Sequence, residues 1–176
     1  MDIGLIIVGD EILSGKRQDK HLPKVIELLA ARGLALAWAR YVGDRREHIT
    51  PMLRDAFSSG DLVFCCGGIG ATPDDHTRAC AAQALGVPLV LHPQARALID
   101  ERMREVAAEQ GVAYDPERTD NVQRLQMGMF PTGAQIVPNR FNKIPGFSIG
   151  HVHFVPGCRV LAHAVIEWLL GEGDAW

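Results

Sequence analysis

The stretch that decides the fold is Phe64-Cys65-Cys66-Gly67-Gly68-Ile69-Gly70-Ala71-Thr72-Pro73-Asp74-Asp75-His76-Thr77. The apolar run that leads into it, Leu62 to Cys66, is typical of a buried strand and stops at three glycines in four positions. The residues after the loop are spaced for one face of a helix, namely Thr77, Cys80, Ala81, Ala84 and Leu85. The stretch therefore predicts a strand, a glycine loop and a helix.

The loop itself has the composition of a binding site. Gly67, Gly68 and Gly70 allow positive φ angles and a close approach of backbone to ligand, and the N-terminus of a helix favours an anion. Asp74 and Asp75 would repel a bare anion, but they suit a site that also holds a metal ion or moves a proton. The alternative is structural, with Asp74 as the helix N-cap.

A second loop follows the first strand, which is the apolar run Ile3 to Val8. It spans Gly9 to Lys16 and contains Asp10, Glu11 and Ser14. It is not a Walker A loop, because that motif needs glycine at position 10 and Ser or Thr at position 17, and the dinucleotide fingerprint GxGxxG is also absent.

Between these loops the pattern predicts a helix from about Asp19 to Arg32, a strand over Leu34 to Val42 and a helix from Arg45 to Ser59. The turn Gly43-Asp44 follows the strand. Asp44 has the spacing to Glu47 of a capping box, which is a structural alternative to a role in a site.

The second half of the chain has shorter elements. We expect an edge strand after Pro88, a long helix over 93–110, strands over 134–137 and 151–155, and a last helix over 160–170. Residues 1–176 are interpreted as a single domain, with a surface insertion or small subdomain around residues 111–150.

Alternating strands and helices predict an α/β fold with a parallel sheet covered on both faces. Right-handed crossovers place the loops after the first three strands at one edge of the sheet. A convergence of side chains is therefore expected there, comprising Asp10, Glu11, Ser14, Lys16, Asp44, Thr72, Asp74, Asp75 and Thr77.

Composition excludes several classes of function. A net charge of −3 over 176 residues argues against a nucleic-acid binder held by phosphate contacts, and no apolar run is long enough to span a membrane. The chain enters a strand at once without a basic leader, so we expect a cytoplasmic protein. Its cysteines, Cys65, Cys66, Cys80 and Cys158, form no CxxC pair and are interpreted as buried hydrophobic residues in a reducing compartment.

These loops, in this order, resemble the molybdopterin-binding (MoaB/Mog-like) domain family and most closely its CinA-type branch. The matching stretches are Gly9 to Gly15, Val42-Gly43-Asp44, Gly67 to Thr77, Asn121, Pro138-Asn139, Pro145-Gly146-Phe147 and Val155-Pro156-Gly157. The resemblance implies a three-layer α/β/α sandwich with a mostly parallel sheet. It also implies a homo-oligomer, because relatives form trimers or dimers.

The resemblance further implies roles for single residues. Asp44 and Asp75 match carboxylates of the family's site and are expected to be catalytic, while Asp74 and Asp75 are expected to bind a metal. The expected ligand-binding residues are Gly9, Glu11, Ser14, Gly67, Gly68, Gly70, Thr72, Thr77, Asn139 and Gly146.

Three functions stay open. Relatives in molybdenum-cofactor synthesis bind molybdopterin and adenylylate it with ATP and Mg²⁺, and CinA-type relatives are associated with hydrolysis of ADP-ribose or FAD-like pyrophosphates, using a divalent cation and K⁺. The first hypothesis is a metal-dependent enzyme of either kind, the second a module that binds molybdopterin or a nucleotide without chemistry. The third is an interaction domain with a vestigial site.

The chain departs from the CinA pattern at three points. Ala71 stands where proline is usual, and Cys158 follows Pro156-Gly157 where a further proline is frequent. The chain ends at Trp176, before the subdomain and the amide-hydrolase domain of full-length CinA, so no deamidase activity is expected.

Overall fold

The computed structural model describes residues 1–157 and 159–171, and for residues 159–161 the backbone alone. The strands are β1 (Ile3–Val8), β2 (Trp38–Val42), β3 (Leu62–Cys66), β4 (Leu89–Leu91), β5 (Met129–Pro131), β6 (Gln135–Val137), β7 (Gly146–Ile149) and β8 (Val152–Val155). The helices are α1 (Asp10–Leu13), α2 (His21–Ala30), α3 (Arg46–Ser59), α4 (Thr77–Leu85), α5 (Pro93–Glu109), α6 (Thr119–Arg124) and α7 (Arg159–Gly171), with a 3₁₀ turn at Leu125–Gly128.

Six of the strands form one sheet in the order β2-β1-β3-β8-β7-β6, and β4 pairs with β5 in a separate antiparallel ribbon. β2, β1, β3 and β8 are parallel, whereas β7 and β6 run antiparallel to their neighbours. The expected α/β fold with a mostly parallel sheet is confirmed. Because four parallel strands end at the same edge, the loops that follow them meet there, as the sequence predicts.

Helices cover both faces of the sheet. On one face α2 and α7 bury side chains such as Val25, Leu29 and Ile166 against β1 and β3. On the other face α3, α4 and α5 contribute residues such as Leu53 and Ala81 to the second core cluster. This three-layer arrangement explains why the central strands are apolar on both sides.

Three stacked phenylalanine rings lie within the second core cluster. The rings of Phe130, Phe147 and Phe154 are stacked with centroid distances of 4.7 and 4.4 Å between neighbours. Phe147 and Phe154 lie opposite each other on β7 and β8, and all three rings are buried. The antiparallel part of the sheet is thereby fixed to the region that carries β5.

Two predicted elements differ from the structure. The loop from Gly9 to Lys16 contains a helical turn, α1, in which the Ser14 amide donates to the Asp10 carbonyl. The second strand begins at Trp38 rather than Leu34, because Leu34 turns back onto α2 through a bond from its amide to the Leu29 carbonyl.

The region 111–150 divides into two parts. Residues up to Pro131 form α6, the 3₁₀ turn and β5, which pairs with β4. The rest contributes β6 and β7 to the main sheet.

Three of the cysteines are described, and Cys65, Cys66 and Cys80 are free and buried. Burial raises the pKa of all three thiols, which keeps them protonated and unreactive. Cys158 lies outside the described residues. No helix within the described ranges combines the length and apolar character that crossing a membrane requires.

Candidate ligand-binding site

A cleft of about 490 Å³ opens at the carboxyl ends of the four parallel strands. Most of the predicted site residues line it, namely Gly9, Glu11, Asp44, Gly67, Gly68, Gly70, Thr72, Asp74, Asp75 and Asn139. Val8, Arg17, Ile69, Met127, Asn142, Ile144, Pro145, Pro156 and Gly157 complete the wall. Of the side chains expected to converge from the strand-end loops, the structure brings five to the cleft and leaves Asp10, Ser14, Lys16 and Thr77 outside its lining.

The glycine loop is packed too tightly for side chains. Gly67 has a φ of 102° and Gly68 a φ of 72°, a region that favours glycine. A Cβ on Gly67 would lie 2.3 Å from the Val8 carbonyl oxygen, and one on Gly68 would lie 2.0 Å from Thr77 Oγ1. The loop thus needs glycine at both positions for conformation and for space.

The four carbonyl oxygens of the loop are all bound inside the protein. Thr77 donates its Oγ1 hydroxyl to the Gly67 carbonyl at 3.0 Å and its amide to the Gly68 carbonyl at 3.0 Å. The buried Arg78 guanidinium donates to the carbonyls of Ile69 and Gly70 at 2.5 and 2.8 Å. Burial lowers the pKa of Arg78, and the nearby Asp75 carboxylate counteracts part of that shift.

The amides of the same loop differ from its carbonyls, because they lack hydrogen-bond partners among the described residues. Within residues 1–157 and 159–171, the N–H groups of Gly68, Ile69 and Gly70 donate to no protein acceptor. Backbone N–H groups that are left without a partner in a packed turn form a concavity suited to an anion. Sequence reasoning passed over Arg78, although an arginine directly after Thr77 is a signal that the loop carbonyls have a buried donor.

The carboxylates join neighbouring loops to one another. The Asp10 amide donates to Asp44 Oδ2 at 3.0 Å, and the Asp44 amide donates to Asp10 Oδ1 at 2.9 Å. This reciprocal pair ties the end of β1 to the end of β2. Asp75 Oδ2 accepts from both the amide and the hydroxyl of Thr72, at 2.9 and 2.7 Å, and so closes the glycine loop.

Neither capping interpretation of these aspartates is correct. α4 begins at Thr77 with His76 as its N-cap residue, and α3 has Arg45 in that position, in both cases without a side-chain capping bond. Asp74 therefore does not cap α4, and Asp44 is occupied by the Asp10 amide instead of a capping box with Glu47.

Asp44 lies in an unfavourable electrostatic setting. Burial raises its pKa first, and the carboxylates of Asp10, Glu11 and Asp75 raise it further, while the bond from the Asp10 amide acts in the other direction. Carboxyl groups with perturbed pKa values are concentrated at functional sites.

We expect Asp44→Asn to stabilise the fold at neutral pH. In the wild type the ionised form is disfavoured in the folded state, so the penalty is present above the raised pKa and disappears as the pH falls to the range of an ordinary aspartate. Asn keeps an acceptor for the Asp10 amide. Thermal unfolding from pH 7 to acid should show a gain that shrinks on acidification, with Asp55→Asn, at an exposed ion pair with Arg40, as control.

Three predicted ligand-binding residues do not line the cleft. Ser14 is exposed at the end of α1, and its hydroxyl donates to the Glu11 carbonyl at 3.3 Å. Thr77 is buried beneath the glycine loop, which it supports. Gly146 lies in β7, where a Cβ would be 2.3 Å from the Phe154 carbonyl oxygen, so this glycine serves strand packing.

Asn139 shapes the loop that forms the far wall. Its side-chain nitrogen donates to Asn142 Oδ1 and the Ile144 carbonyl, and its side-chain oxygen accepts from the Phe141 amide. Lys143, the one non-glycine residue with positive φ in the described chain, ties this loop to Glu101 and Glu105 on α5.

Arg17 is the principal cleft residue that sequence reasoning missed. Its Nη2 donates to the Gly157 carbonyl at 2.9 Å and lies 3.9 Å from the Glu11 carboxylate. It is the one cationic side chain among the described residues that line the cleft. The sequence could have indicated this role, because Arg17 follows Gly15 by only two residues in the loop after β1.

No group of three or more His, Cys, Asp or Glu side chains in the described part of the chain is arranged to hold a metal ion. Asp44 and Asp75 each have one oxygen engaged by the protein, and no described group bonds to the other. This chemistry fits Mg²⁺, which binds through one or two carboxylates together with waters and ligand phosphates.

Residues 4–172 match the family model described as a probable molybdopterin binding domain. The chain belongs to this family, in its CinA-type branch. The branch follows from relatives such as a CinA-like protein of Anaeromyxobacter dehalogenans (strain 2CP-C), which is 32% identical over 97% of this chain. A CinA-like protein of Thermomicrobium roseum is 34% identical over 86% of it. The chain spans 40% and 36% of the lengths of these two relatives.

Two solved structures are similar to this CinA-type domain. The structure of CinA from Thermoplasma acidophilum, described as of unknown function, matches with a TM-score of 0.79 and 25% identity over 97% of both chains. The molybdopterin biosynthesis enzyme MoaB of Thermus thermophilus matches with a TM-score of 0.55 at 22% identity, covering 96% of this chain and 89% of its own. The second likeness concerns the fold of the CinA-type domain alone.

Proposed function

We propose that this CinA-type domain binds a phosphate-bearing ligand, molybdopterin or a nucleotide, in the cleft at the strand ends. The observation that carries the proposal is the set of amides at Gly68, Ile69 and Gly70, which have no acceptor within residues 1–157 and 159–171, while the carbonyls of the same residues are all bound inside the protein. Amides held in this way can donate to phosphate oxygens without first breaking protein hydrogen bonds. The cleft volume of about 490 Å³ suits a ligand of this size.

The charges around the cleft add a requirement for a cation. The lining carboxylates are Glu11, Asp44, Asp74 and Asp75, against the single described cation of Arg17. A phosphate group entering this field is repelled unless a divalent cation accompanies it. Asp44 and Asp75 are the proposed ligands for Mg²⁺ or another divalent cation, Asp74 also lines the cleft, and K⁺ is a further candidate.

We therefore expect ligand and cation to bind together. Calorimetric titrations with ADP-ribose, FAD and molybdopterin should show at least tenfold tighter binding with Mg²⁺ than with EDTA for the true ligand, because the cation offsets about 1.4 kcal/mol or more of repulsion. Mg²⁺ titrated alone should bind weakly, since the protein offers it only one or two carboxylates. Absence of saturable binding for all three ligands would favour an interaction domain with a vestigial site.

A second candidate function is hydrolysis of an ADP-ribose- or FAD-type pyrophosphate. The carboxylates of Asp44 and Asp75 favour it, because each has one oxygen that no described group engages and that can accept a hydrogen bond from an attacking water. The metal would supply charge neutralisation and a bound water of lowered pKa. Asp44 and Asp75 would hold and orient the water, and the loop amides would donate to the phosphate oxygens.

Chromatographic detection of AMP separates the two candidates. Wild-type protein incubated with ADP-ribose or FAD, a divalent cation and K⁺ should release AMP if it is a pyrophosphatase. Saturable binding without AMP would leave a binding module or a molybdopterin adenylyltransferase, which incubation with molybdopterin and ATP would distinguish.

We further propose that the domain works as a homo-oligomer, a trimer or dimer, in the cytoplasm. The buried free thiols of Cys65, Cys66 and Cys80 are consistent with a reducing compartment. Light scattering on the purified chain tests the oligomeric state, and a mass of 19.2 kDa would contradict it.

A further inference from the structure

His21, the first residue of α2, is only 3% exposed, and both of its ring nitrogens have partners. Nε2 lies 3.1 Å from the Gly157 carbonyl oxygen, and Nδ1 lies 3.4 Å from Nε2 of His163 on α7. A carbonyl oxygen can only accept, so Nε2 carries the proton that it donates to Gly157. Burial lowers the pKa of His21, which agrees with a neutral ring in this role.

Residues around the start of α2 and on α7 fix the position of the His21 ring. Asp19 accepts the amides of His21 and Leu22, at 2.8 and 3.2 Å, and fixes the first turn of α2. The Tyr41 hydroxyl on β2 donates to the same carboxylate at 2.6 Å. The edge of His163 meets the ring at an interplanar angle of 87°. His21 is therefore a fixed donor and does not need to be ordered by a ligand.

The acceptor of the His21 ring, the Gly157 carbonyl, is part of a residue that lines the cleft. The Gly157 carbonyl also receives Arg17 Nη2, and a Cβ added to Gly157 would lie 3.1 Å from the Cα of Gly67. Gly67 in turn donates its amide to the Val155 carbonyl, just before Gly157. The segment after β8 thus lies against the first residue of the glycine loop, and movement of one requires movement of the other.

We propose that His21 is a positioning residue, which holds the Gly157 segment against the glycine loop and so keeps the loop amides in place for the ligand. His21 does not line the cleft, so its effect on a ligand passes through Gly157 and Gly67. The effect on affinity rests on the proposed ligand-binding function, whereas the effect on the loop does not.

Replacing His21 by Gln or by Asn tests the roles of the two ring nitrogens separately. The side-chain nitrogen of glutamine reaches about as far as Nε2, so His21→Gln keeps a donor for Gly157. Asparagine reaches only about as far as Nδ1, so His21→Asn keeps a partner for His163 and loses the bond to Gly157. Both replacements are uncharged and lack the ring, and thermal unfolding of both variants checks that they are folded to the same degree.

The first measurement is amide hydrogen exchange in the ligand-free protein. Loss of one backbone-directed hydrogen bond should accelerate exchange at Gly67 about three- to tenfold in His21→Asn. His21→Gln should stay within about twofold of the wild type. Equal exchange in all three proteins, or equal acceleration in both variants, would overturn the proposal whether or not a ligand binds.

The second measurement is affinity for whichever of ADP-ribose, FAD or molybdopterin the wild type binds with Mg²⁺. His21→Asn should weaken binding about three- to tenfold, and His21→Gln should restore it. Equal affinities for the two variants would overturn the proposal. If the wild type binds none of the three, the proposed function fails and hydrogen exchange alone decides the role of His21.

Discussion

Gly67→Ala is expected to destabilise the protein by about 2–6 kcal/mol, since strain at a positive φ and overpacking each cost about 1–3 kcal/mol. The added methyl group would lie 2.3 Å from the Val8 carbonyl oxygen, and this neighbour is the backbone of β1, which is paired on both sides with β2 and β3, so it cannot move aside. Chemical denaturation of the two proteins measures the effect.

Gly60→Ala is the matched control for this change. Gly60 has a φ of 74° and terminates α3, but a Cβ there would meet nothing within 4 Å. We expect a loss of only about 1 kcal/mol, from backbone conformation alone. If both variants lose a similar free energy of unfolding, then backbone conformation alone, and not close packing of the glycine loop, requires glycine at position 67.

Asp75→Asn is expected to abolish the function of the cleft while the protein stays folded. Asn keeps an oxygen that can accept both bonds from Thr72, so the loop should remain closed, but the negative charge proposed to hold the cation is lost. If the protein is a pyrophosphatase, AMP release should fall about 10²-fold or more, as for the loss of one group that stabilises charge in the transition state. Ligand affinity with Mg²⁺ should fall at least about tenfold.

Thr72→Val separates the charge of Asp75 from its role in the loop. This change removes the 2.7 Å bond from the Thr72 hydroxyl and leaves the carboxylate and the 2.9 Å bond from the amide. We expect a loss of function smaller than about tenfold, because one hydrogen bond contributes about 1 kcal/mol. Full function in Asp75→Asn would exclude Asp75 from the site, and equal losses in both variants would assign it a structural role.

The parallel half of the fold could be predicted from the sequence because its signals are long. β1 and β3 are unbroken apolar runs followed by glycine-containing loops, and the helices α2 and α4 come after those loops. The strands β6, β7 and β8 have only three or four residues each, so hydrophobic periodicity could not assign their direction or their neighbours. Tertiary pairing, including the stack of Phe147 on Phe154, determines that part of the sheet.

The candidate site was predictable in its chemistry and less so in its geometry. Acidic residues and glycines after parallel strands indicated a ligand site at that edge, and most of them line the cleft. The reciprocal bonds of Asp10 and Asp44, and the hold of Arg78 on the loop carbonyls, join residues through space and leave no periodic pattern. Gly146 lies in β7 and outside the cleft lining, because in sequence a glycine required by strand packing resembles one required by a ligand.

The central claim is that the amides of Gly68, Ile69 and Gly70 receive the phosphate of a ligand. Nuclear magnetic resonance of ¹⁵N-labelled protein tests it most directly, with ADP-ribose, FAD and molybdopterin titrated separately in the presence of Mg²⁺. We predict that one of these ligands shifts the three amide signals saturably, with smaller changes at distant glycines such as Gly60 and Gly86. Unchanged signals from the three amides with every ligand, or saturable shifts confined to another face of the domain, would contradict the account.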